Sequence, residues 1–333
     1  IQLIREADKD GRSFYFEVNG QPIYAKGANY IPQDSFLDRP TEAHYRQVFE
    51  DMAAAHMNMV RVWGGGIYEA DLFYDLADEY GIMVWQDFMF ACTMYPGDPE
   101  FIETVKEEAI YNIHRLKGHP SLALWCGNNE IAVGWHYWGW QKEFGYTKDQ
   151  EHQMASAYER VFEAVLPALV TGHDPTRDYL PSSPMYDYSE LKEYGQGDVH
   201  YWGVWHEEAP FSTYKEAVPR FMSEYGFQSF PLLDSVRRYT QPEDWSIESP
   251  VMQLHQKHPR GNGIIKKYLL EHYREPKDFE SFLYLSQLLQ ADGIRIAIEA
   301  HRKAKPFCMG TLYWQLNDCW PVASWSGIDY YGQ

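Results

Sequence analysis

Short apolar runs recur along the chain, and segments with the three-to-four-residue spacing of an amphipathic helix separate most of them. This alternation predicts a parallel sheet with helices packed against it. Eight such units in 333 residues predict a (β/α)8 TIM barrel with insertions. The runs typical of buried strands are 22–31, 57–66, 82–88, 121–129, 178–184, 198–203, 220–229 and 307–318, and the clearest helical patterns are 41–56, 69–81, 99–118, 148–170 and 279–304.

Two of the predicted helices carry recognisable end signals. Thr41 is the first residue of the first helical pattern and a predicted N-cap, because its hydroxyl can accept a hydrogen bond from the first turn. Gly81 is the last residue of the second pattern and is predicted to end the helix in the left-handed conformation. Both signals agree with short connections between helices and strands.

An open, doubly wound sheet is the alternative fold. Such sheets usually carry a phosphate-binding loop of the form G-x-G-x-x-G after an early strand. Gly64, Gly65 and Gly66 lie in a suitable place, but they lack that order. We interpret them as a tight turn from strand to helix.

Polar and charged residues gather at the C-terminal ends of the predicted strands. In a barrel these ends meet on one face, where active sites are built. Each residue by itself is also explained as a cap of a turn or helix, but the set as a whole favours a site. Its members are Asn29, Arg61, Asp87, Asn128, Asn129, Glu130, His200, Glu224, Asn317 and Asp318.

The aromatic content points to the kind of ligand. Aromatic residues make up 17% of the chain, with 12 Trp and 26 Tyr, which exceeds what a core requires. Trp and Tyr combine a flat apolar face with one polar tip. Sugar rings have apolar C–H faces and polar edges, so the composition favours an aromatic-lined cleft for carbohydrate.

The net charge of −19 argues against nucleic acid or anionic membranes as partners, because phosphate groups attract basic surfaces. No apolar run approaches the roughly 18 residues of a membrane-spanning helix. The four cysteines show no C-x-x-C spacing, and Cys126 and Cys308 lie in apolar runs, which predicts buried free thiols. The net charge says little about neutral substrates.

Two glutamates at strand ends are candidate catalytic residues. Glu130 closes the fourth predicted strand, and Glu224 lies at the end of the seventh. Side chains at these strand ends point across the same barrel mouth, so the two carboxyls can approach each other. Paired carboxyls are the usual equipment for hydrolysing a glycosidic bond, one as proton donor and the other as nucleophile or base.

Several motifs make a family recognisable. "GHPSLALWCGNNE" resembles the acid/base segment of glycoside hydrolase family 2, and "RFMSEYGFQS" resembles the nucleophile strand of that family. "NYIPQDSF", "NMVRVWGGGIYE" and "YWQLNDCWPVASWSGIDYYG" fit as well. The doubled Asn before Glu130 and the Ser-Glu-Tyr-Gly-Phe-Gln-Ser stretch resemble the β-mannosidase branch, and the resemblance covers essentially the whole chain.

The resemblance implies a retaining, exo-acting β-mannosidase that removes terminal β-D-mannosyl residues. Glu130 matches the acid/base, Glu224 the nucleophile and Asn129 the amide that contacts the sugar 2-OH. Trp63, Trp202 and Trp314 match aromatic positions around the glycone, and Trp138 is similar to a wall of the leaving-group subsite. The position at strand ends adds Arg61, Asp87 and His200 as further expected substrate-binding residues.

The resemblance also implies partners and location. The expected substrate is a β-mannoside oligosaccharide, with no cofactor and no metal. Members of the family carry β-sandwich domains before and after the barrel, and a homodimer is a further candidate arrangement. A periplasmic, secreted or lysosomal location is implied by resemblance.

Physical chemistry assigns the roles of the two glutamates. A nucleophile must stay ionised, so we expect Arg61 to supply charge and Tyr201 or Tyr225 to supply a hydroxyl. An acid must keep its proton, which requires an apolar surround or a negative neighbour. We expect Trp125, Trp135 and Trp138 to provide that surround for Glu130, because they are close to it in sequence.

Three other functions remain open at this stage. The first is another sugar specificity on the same machinery: a β-galactosidase, a β-glucuronidase or an endo-acting mannanase. The second is a carbohydrate-binding barrel without activity. The third is a metal-dependent barrel hydrolase using His56, His114, His119 or His200, but none of these falls in an H-x-H or H-E-x-x-H arrangement.

The two ends of the chain carry separate expectations. Residues 1–20 are predicted to be the end of a preceding β-sandwich and a linker, and residues 21–333 the catalytic barrel. The barrel is expected to be truncated before its last helix, because the eighth strand is followed only by a loop. Outward-facing apolar residues of that strand, such as Leu312, are then expected to be exposed.

Overall fold

The computed structural model describes residues 1–333 and begins with a small antiparallel sheet. Its strands occur in the order β1-β4-β5, and a two-residue hairpin, β2 with β3, extends from it. Phe14 and Phe16 are buried and lie against Trp85 and Phe221 of the main sheet. The five strands are β1 (Gln2–Ile4), β2 (Ala7–Asp8), β3 (Gly11–Arg12), β4 (Tyr15–Val18) and β5 (Gln21–Ile23).

Eight parallel strands form a (β/α)8 barrel, which confirms the predicted fold class. Their order is β10-β9-β8-β7-β6-β13-β12-β11. Isolated bridges Asn129↔Ser183 and Tyr186↔Val199 carry the segment after β10 across to β11, so the curled sheet closes. The strands are β6 (Ala25–Tyr30), β7 (Met59–Val62), β8 (Met83–Asp87), β9 (Leu122–Cys126), β10 (Asp178–Leu180), β11 (Asp198–Tyr201), β12 (Phe221–Tyr225) and β13 (Gly310–Tyr313).

Each predicted helical pattern is helical in the structure. Thr41 has the extended backbone of an N-cap, and Gly81 is left-handed with φ of 67°. The helices are α1 (Glu42–Ala54), α2 (Asp71–Tyr80), α3 (Pro99–Leu116), α4 (Ile131–Tyr137), α5 (Trp140–Glu143), α6 (Lys148–Tyr158), α7 (Leu166–His173), α8 (Gly203–His206), α9 (Leu233–Val236), α10 (Pro250–Leu254), α11 (Gly261–His272) and α12 (Phe279–Lys303). None of these helices has the length and apolar composition needed to cross a bilayer.

The turn after β7 explains the three consecutive glycines. A Cβ on Gly64 would lie 2.6 Å from the Phe90 carbonyl oxygen and 2.8 Å from that of Phe88. Gly64 N–H also donates to Asp87 Oδ2 at 3.0 Å. The chain therefore needs glycine here for a close backbone approach, which agrees with a tight turn.

The expectation that Leu312 is exposed is wrong. Leu312 is completely buried and belongs to the apolar cluster inside the barrel, together with Trp85, Leu124 and Phe221. Successive residues of a strand point to opposite faces, so the outward residue of β13 is Thr311. Its hydroxyl lies 3.0 Å from His301 Nδ1, so α12 covers this part of the outer face.

Candidate active site

Glu130 and Glu224 meet at the C-terminal mouth of the barrel. His200 Nδ1 lies 2.8 Å from Glu130 Oε1 and 3.4 Å from Glu224 Oε2. One atom from each of these three side chains lies within 4.8 Å of the others. The strands β9, β11 and β12 thus place two carboxyls on either side of one imidazole nitrogen, close to the separation of about 5–5.5 Å found in retaining glycosidases.

Arg61 is buried at the centre of the polar side chains below the barrel mouth. Its Nη1 contacts Glu224 Oε1 at 2.5 Å and Asn29 Oδ1 at 2.8 Å. Its Nη2 donates to Asp87 Oδ2 at 2.8 Å and to Asn129 Oδ1 at 2.7 Å. Arg61 and Asp87 have no accessible surface. They lie behind the carboxyls and orient Glu224 and Asn129.

Asn129 connects Arg61 to Glu130. Its Oδ1 accepts from Arg61, and its Nδ2 donates to Glu130 Oε2 at 3.2 Å and to Cys92 Sγ at 3.3 Å. The side chain is almost fully buried. The predicted amide therefore lies beside the acid/base candidate, with its orientation set on both sides.

The Glu130 backbone has the left-handed conformation, with φ of 62°. This conformation costs free energy for a residue with a side chain, of order 1–3 kcal/mol. The neighbouring strands hold it: Glu130 N–H donates to the Ser183 carbonyl at 2.8 Å, and Asn129 N–H to the Phe90 carbonyl at 2.9 Å. The turn directs the carboxyl into the mouth instead of along α4.

The electrostatics of the two carboxyls differ. Burial raises the pKa of both Glu130 and Glu224. Of the two glutamates, only Glu224 contacts Arg61, and this ion pair favours the charged form of Glu224 against the burial that raises its pKa to about 7. Burial lowers the pKa of His200 to about 4, so its imidazole is neutral at ordinary pH.

The four tryptophans expected to bind sugar differ in their neighbours and in their exposure to solvent. The rings of Trp63 and Trp314 meet edge to face at 5.1 Å between centroids. The ring centroids of Trp202 and Trp325 are 6.1 Å apart. Trp325 lies on the loop after β13 and was not among the predicted site residues. Trp138 is 43% exposed and packs on Trp140, so it lies at the surface beside α4.

Three residues expected to tune the glutamates do not do so. The Tyr225 hydroxyl is 2.8 Å from Thr311 Oγ1, on the outer side of the strand. Tyr201 packs against other tyrosine rings. Trp125 also points outward, where its indole N–H donates to Asp174 at 3.0 Å. Alternation along each strand turns these side chains away from the mouth.

Sequence reasoning also missed polar residues that contact the central histidine and glutamate. Cys92 Sγ lies 3.5 Å from Glu130 Oε2. Ser183 Oγ lies 3.1 Å from His200 Nε2 and 2.7 Å from Asp198 Oδ2. Asp198 had a usable signal, because a carboxylate two positions before His200 in an apolar strand must be paired when buried. Ser183 and Cys92 had none.

The arrangement places two carboxyls across a small gap, one bound by Arg61 and the other held by neutral partners. A carboxylate with an Arg61 contact can attack an electrophilic carbon. A carboxyl held by neutral partners can protonate a departing oxygen and later take a proton from water. This pair is suited to two successive displacements at an acetal carbon.

Comparison with known proteins gives close relatives over the full chain. No family model matches it. The chain is 38% identical over 362 residues to a β-mannosidase of Capra hircus, and 38% identical over 337 residues to β-mannosidase B of Emericella nidulans, covering 100% and 99% of this chain. It covers 40% of the length of each relative.

Solved structures agree in fold. A β-D-mannosidase from Dictyoglomus thermophilum matches 100% of this chain and 40% of its own, with TM-score 0.90 and 42% identity. An exo-chitosanase from Amycolatopsis orientalis, covered to 38%, matches 99% of this chain with TM-score 0.73 at 19% identity, which shows the shared fold only. This chain thus spans about two fifths of the proteins it matches.

Proposed function

The chain belongs to the β-mannosidase branch of glycoside hydrolase family 2, and we propose that it forms the catalytic barrel of a retaining, exo-acting β-mannosidase. The proposed substrate is a terminal, non-reducing β-D-mannosyl residue of an oligosaccharide. The observation that carries the proposal is the Glu130/Glu224 pair around His200, in which Arg61 binds Glu224 and not Glu130.

In the first step, a Glu224 oxygen attacks the anomeric carbon and forms a glycosyl ester. The bond from that carbon to the aglycone oxygen breaks, and Glu130 donates its proton to the departing oxygen. Arg61 holds Glu224 ionised before the attack. The Glu130 carboxyl keeps its proton because burial and neutral partners disfavour its charge.

In the second step, water attacks the same carbon and releases mannose with its original β configuration. Glu130, now a carboxylate, takes the proton of the water, and the ester bond to Glu224 breaks. Esterification removes the negative charge of Glu224, so the pKa of Glu130 falls when it must act as a base. The two steps need only these carboxyls and water.

The remaining predicted residues have proposed roles around the sugar. Asn129 is placed to contact the 2-OH, since its Nδ2 lies beside Glu130. Trp63, Trp202 and Trp314 are proposed to wall the glycone. Trp138 is proposed to wall the leaving-group subsite, because it lies on the segment that follows Glu130 and exposes much of its ring. Arg61, Asp87 and His200 position these groups.

The wider protein is also a matter of proposal. Because the matched relatives are about two and a half times as long, we infer that β-sandwich domains accompany the barrel and contribute to substrate binding. We also propose residues 1–20 as the junction to a preceding domain and residues 21–333 as the barrel. A homodimer and a periplasmic, secreted or lysosomal location follow from the resemblance and stay predictions.

A panel of aryl β-glycosides tests the specificity. We expect the highest kcat/KM on aryl β-D-mannoside, and β-mannose as the first product seen by NMR. Faster hydrolysis of β-galactoside or β-glucuronide would assign the machinery to another sugar. Binding of mannoside without any turnover would indicate a non-catalytic barrel. An α-configured first product would contradict the retaining mechanism.

A further inference from the structure

A buried chain of polar side chains lies behind His200. Its Nε2 is 3.1 Å from Ser183 Oγ, and Ser183 Oγ is 2.7 Å from Asp198 Oδ2. All three residues are at most 2% exposed. Asp198 begins β11, two residues before His200, whereas Ser183 comes from the segment after β10 that closes the barrel.

Asp198 can act only as an acceptor in this chain. It faces three donors: the hydroxyls of Ser183 and Ser223, at 2.7 and 2.6 Å, and the N–H of Met185 at 2.8 Å. An ionised carboxylate has only acceptor sites, and three donors complement its charge without any cation. The single proton of Ser183 therefore points to Asp198.

This direction decides the tautomer of His200. Since Ser183 gives its proton to Asp198, its oxygen must accept from the histidine, so Nε2 carries the hydrogen. The imidazole is neutral, because burial lowers its pKa to about 4. Nδ1 then has a lone pair and no proton. Its nearest partner is Glu130 Oε1 at 2.8 Å, which must supply the proton.

The other contacts of Glu130 agree with a protonated carboxyl. If Oε1 carries the hydrogen, Oε2 is the carbonyl oxygen and should accept. It does so from Asn129 Nδ2 at 3.2 Å and from the Cys92 thiol at 3.5 Å. Every donor in this part of the site then has an acceptor.

We propose that Asp198 and Ser183 are positioning residues that hold His200 as its Nε2–H tautomer. Nδ1 of His200 then accepts a hydrogen bond from protonated Glu130, so that Glu130 stays protonated before each turnover. We call the Asp198–Ser183–His200 chain the relay. The inference rests on the proposed function. After Glu130 gives up its proton, the same lone pair faces a carboxylate. That repulsion makes Glu130 a stronger base toward water in the second step.

Other charged groups around Glu130 do not replace this relay. Arg61 favours the ionised form of Glu130 through space, but its guanidinium contacts Glu224. Asp187 favours the protonated form from the loop before β11. The titratable and charged groups that face Glu130 or His200 are Arg61, Cys92, Asp187, Asp198 and Glu224.

Asp198→Asn tests the relay by reversing it. Met185 N–H keeps the amide oxygen on its side, so the new NH2 group faces Ser183 and donates to it. Ser183 then donates to Nε2, and His200 becomes the Nδ1–H tautomer, which stabilises ionised Glu130. We expect the falling, alkaline limb of kcat/KM to move to lower pH by about one unit.

Substrates with different leaving groups distinguish a change in the protonation of Glu130 from a general loss of activity. An alkyl β-mannoside needs the proton, so we expect it to lose about tenfold or more in kcat/KM, whereas a 2,4-dinitrophenyl β-mannoside should lose about threefold or less. Ser183→Ala removes the acceptor of Nε2. It should shift the alkaline limb of the pH profile of kcat/KM in the same direction by a smaller amount. Equal losses on both substrates with an unmoved limb would overturn the relay.

The matched control is Asp174→Asn, the same change at another buried carboxylate, which binds Trp125 and Arg177 outside the barrel. It should lower Tm and leave the pH limb in place. Nitrogen-15 NMR of His200 in the wild-type enzyme gives a direct readout even if Asp198→Asn does not fold: the Nε2–H tautomer is expected, and the Nδ1–H tautomer would overturn the proposal. A wild-type enzyme without β-mannoside activity would instead count against the proposed function.

Discussion

Arg61 touches Glu224 at 2.5 Å and makes no hydrogen bond to Glu130. This contact is the main difference between the surroundings of two carboxyls that are both buried and close together. In the proposed mechanism, the carboxyl beside the guanidinium carries the charge, and the carboxyl beside neutral His200, Asn129 and Cys92 keeps a proton.

Replacement of the two glutamates should give different phenotypes. Glu224→Ala should abolish turnover of every aryl and alkyl β-mannoside, because no glycosyl ester can form. Glu130→Ala should lose alkyl mannosides but still release 2,4-dinitrophenolate, which needs no proton. Added azide should then accelerate turnover and give a β-azide product, identified by NMR. Azide rescue of the Glu224 variant with an inverted product would mean that the roles are reversed.

Arg61→Met should destabilise the barrel as well as inactivate it. The variant leaves Asp87 buried without its cation, and breaking such a pair costs about 3–5 kcal/mol. Urea unfolding measures the loss in free energy of unfolding. Arg46→Met removes exposed ion pairs with Glu42 and Glu79 and should leave the free energy of unfolding almost unchanged. Similar losses in both variants would contradict the central role of Arg61.

The pH profile should reflect a raised pKa of Glu130. Burial is the main cause of that shift, so the acid stays protonated above the usual carboxyl range and its function is lost as pH rises through the shifted value. We expect kcat/KM on an alkyl β-mannoside to fall on the alkaline side. The fall should be much weaker for a 2,4-dinitrophenyl substrate; an identical fall would assign the limb to another group.

Cys92 offers a covalent test of the geometry, because the residue is exposed and its thiol reaches Glu130. Methyl methanethiosulfonate should label it and reduce kcat/KM on alkyl β-mannosides, and bound mannose should protect it. Although the residue is exposed as a whole, desolvation of its sulfur atom and the nearby Glu130 raise the pKa of the thiol, so labelling should speed up with pH. Cys92→Ala should resist the reagent, whereas Cys319→Ala should remain sensitive. Sensitivity that survives in Cys92→Ala would refute the contact.

Trp138→Ala tests the leaving-group wall. The ring is exposed and is expected to stack on the sugar that departs, so mannobiose should lose about tenfold more in kcat/KM than an activated aryl mannoside, about one aromatic stacking contribution. Tyr137→Ala, at an exposed neighbour on the same segment, is the matched control and should affect both substrates little. Equal loss on both substrates in Trp138→Ala would indicate a packing role.

The sequence by itself predicted the barrel and its two glutamates. The period of apolar positions is a local property, so all eight strands could be located from chain-adjacent residues. Glu130 and Glu224 follow apolar runs in motifs that are continuous in sequence, and the parallel order then places both at one mouth.

The errors concern the direction of side chains. A shift of one residue moves a strand side chain from one face to the other. Leu312 was expected outside and lies inside, whereas Tyr225 and Trp125 were expected at the mouth and lie outside. Apolar strands buried on both faces have no alternation that reveals which residues point inward.

Only the tertiary structure decided which polar groups touch. Arg61 and Glu224 lie on β7 and β12 and Asn129 follows β9, whereas the Asp198–Ser183–His200 chain joins β11 to the segment after β10. Barrel closure fixes these distances through hydrogen bonds between strands that are remote in sequence. Protonation depends on burial and on partners within about 3 Å, so the proposal that Glu130 holds the proton rests on contacts within the closed barrel and on no motif.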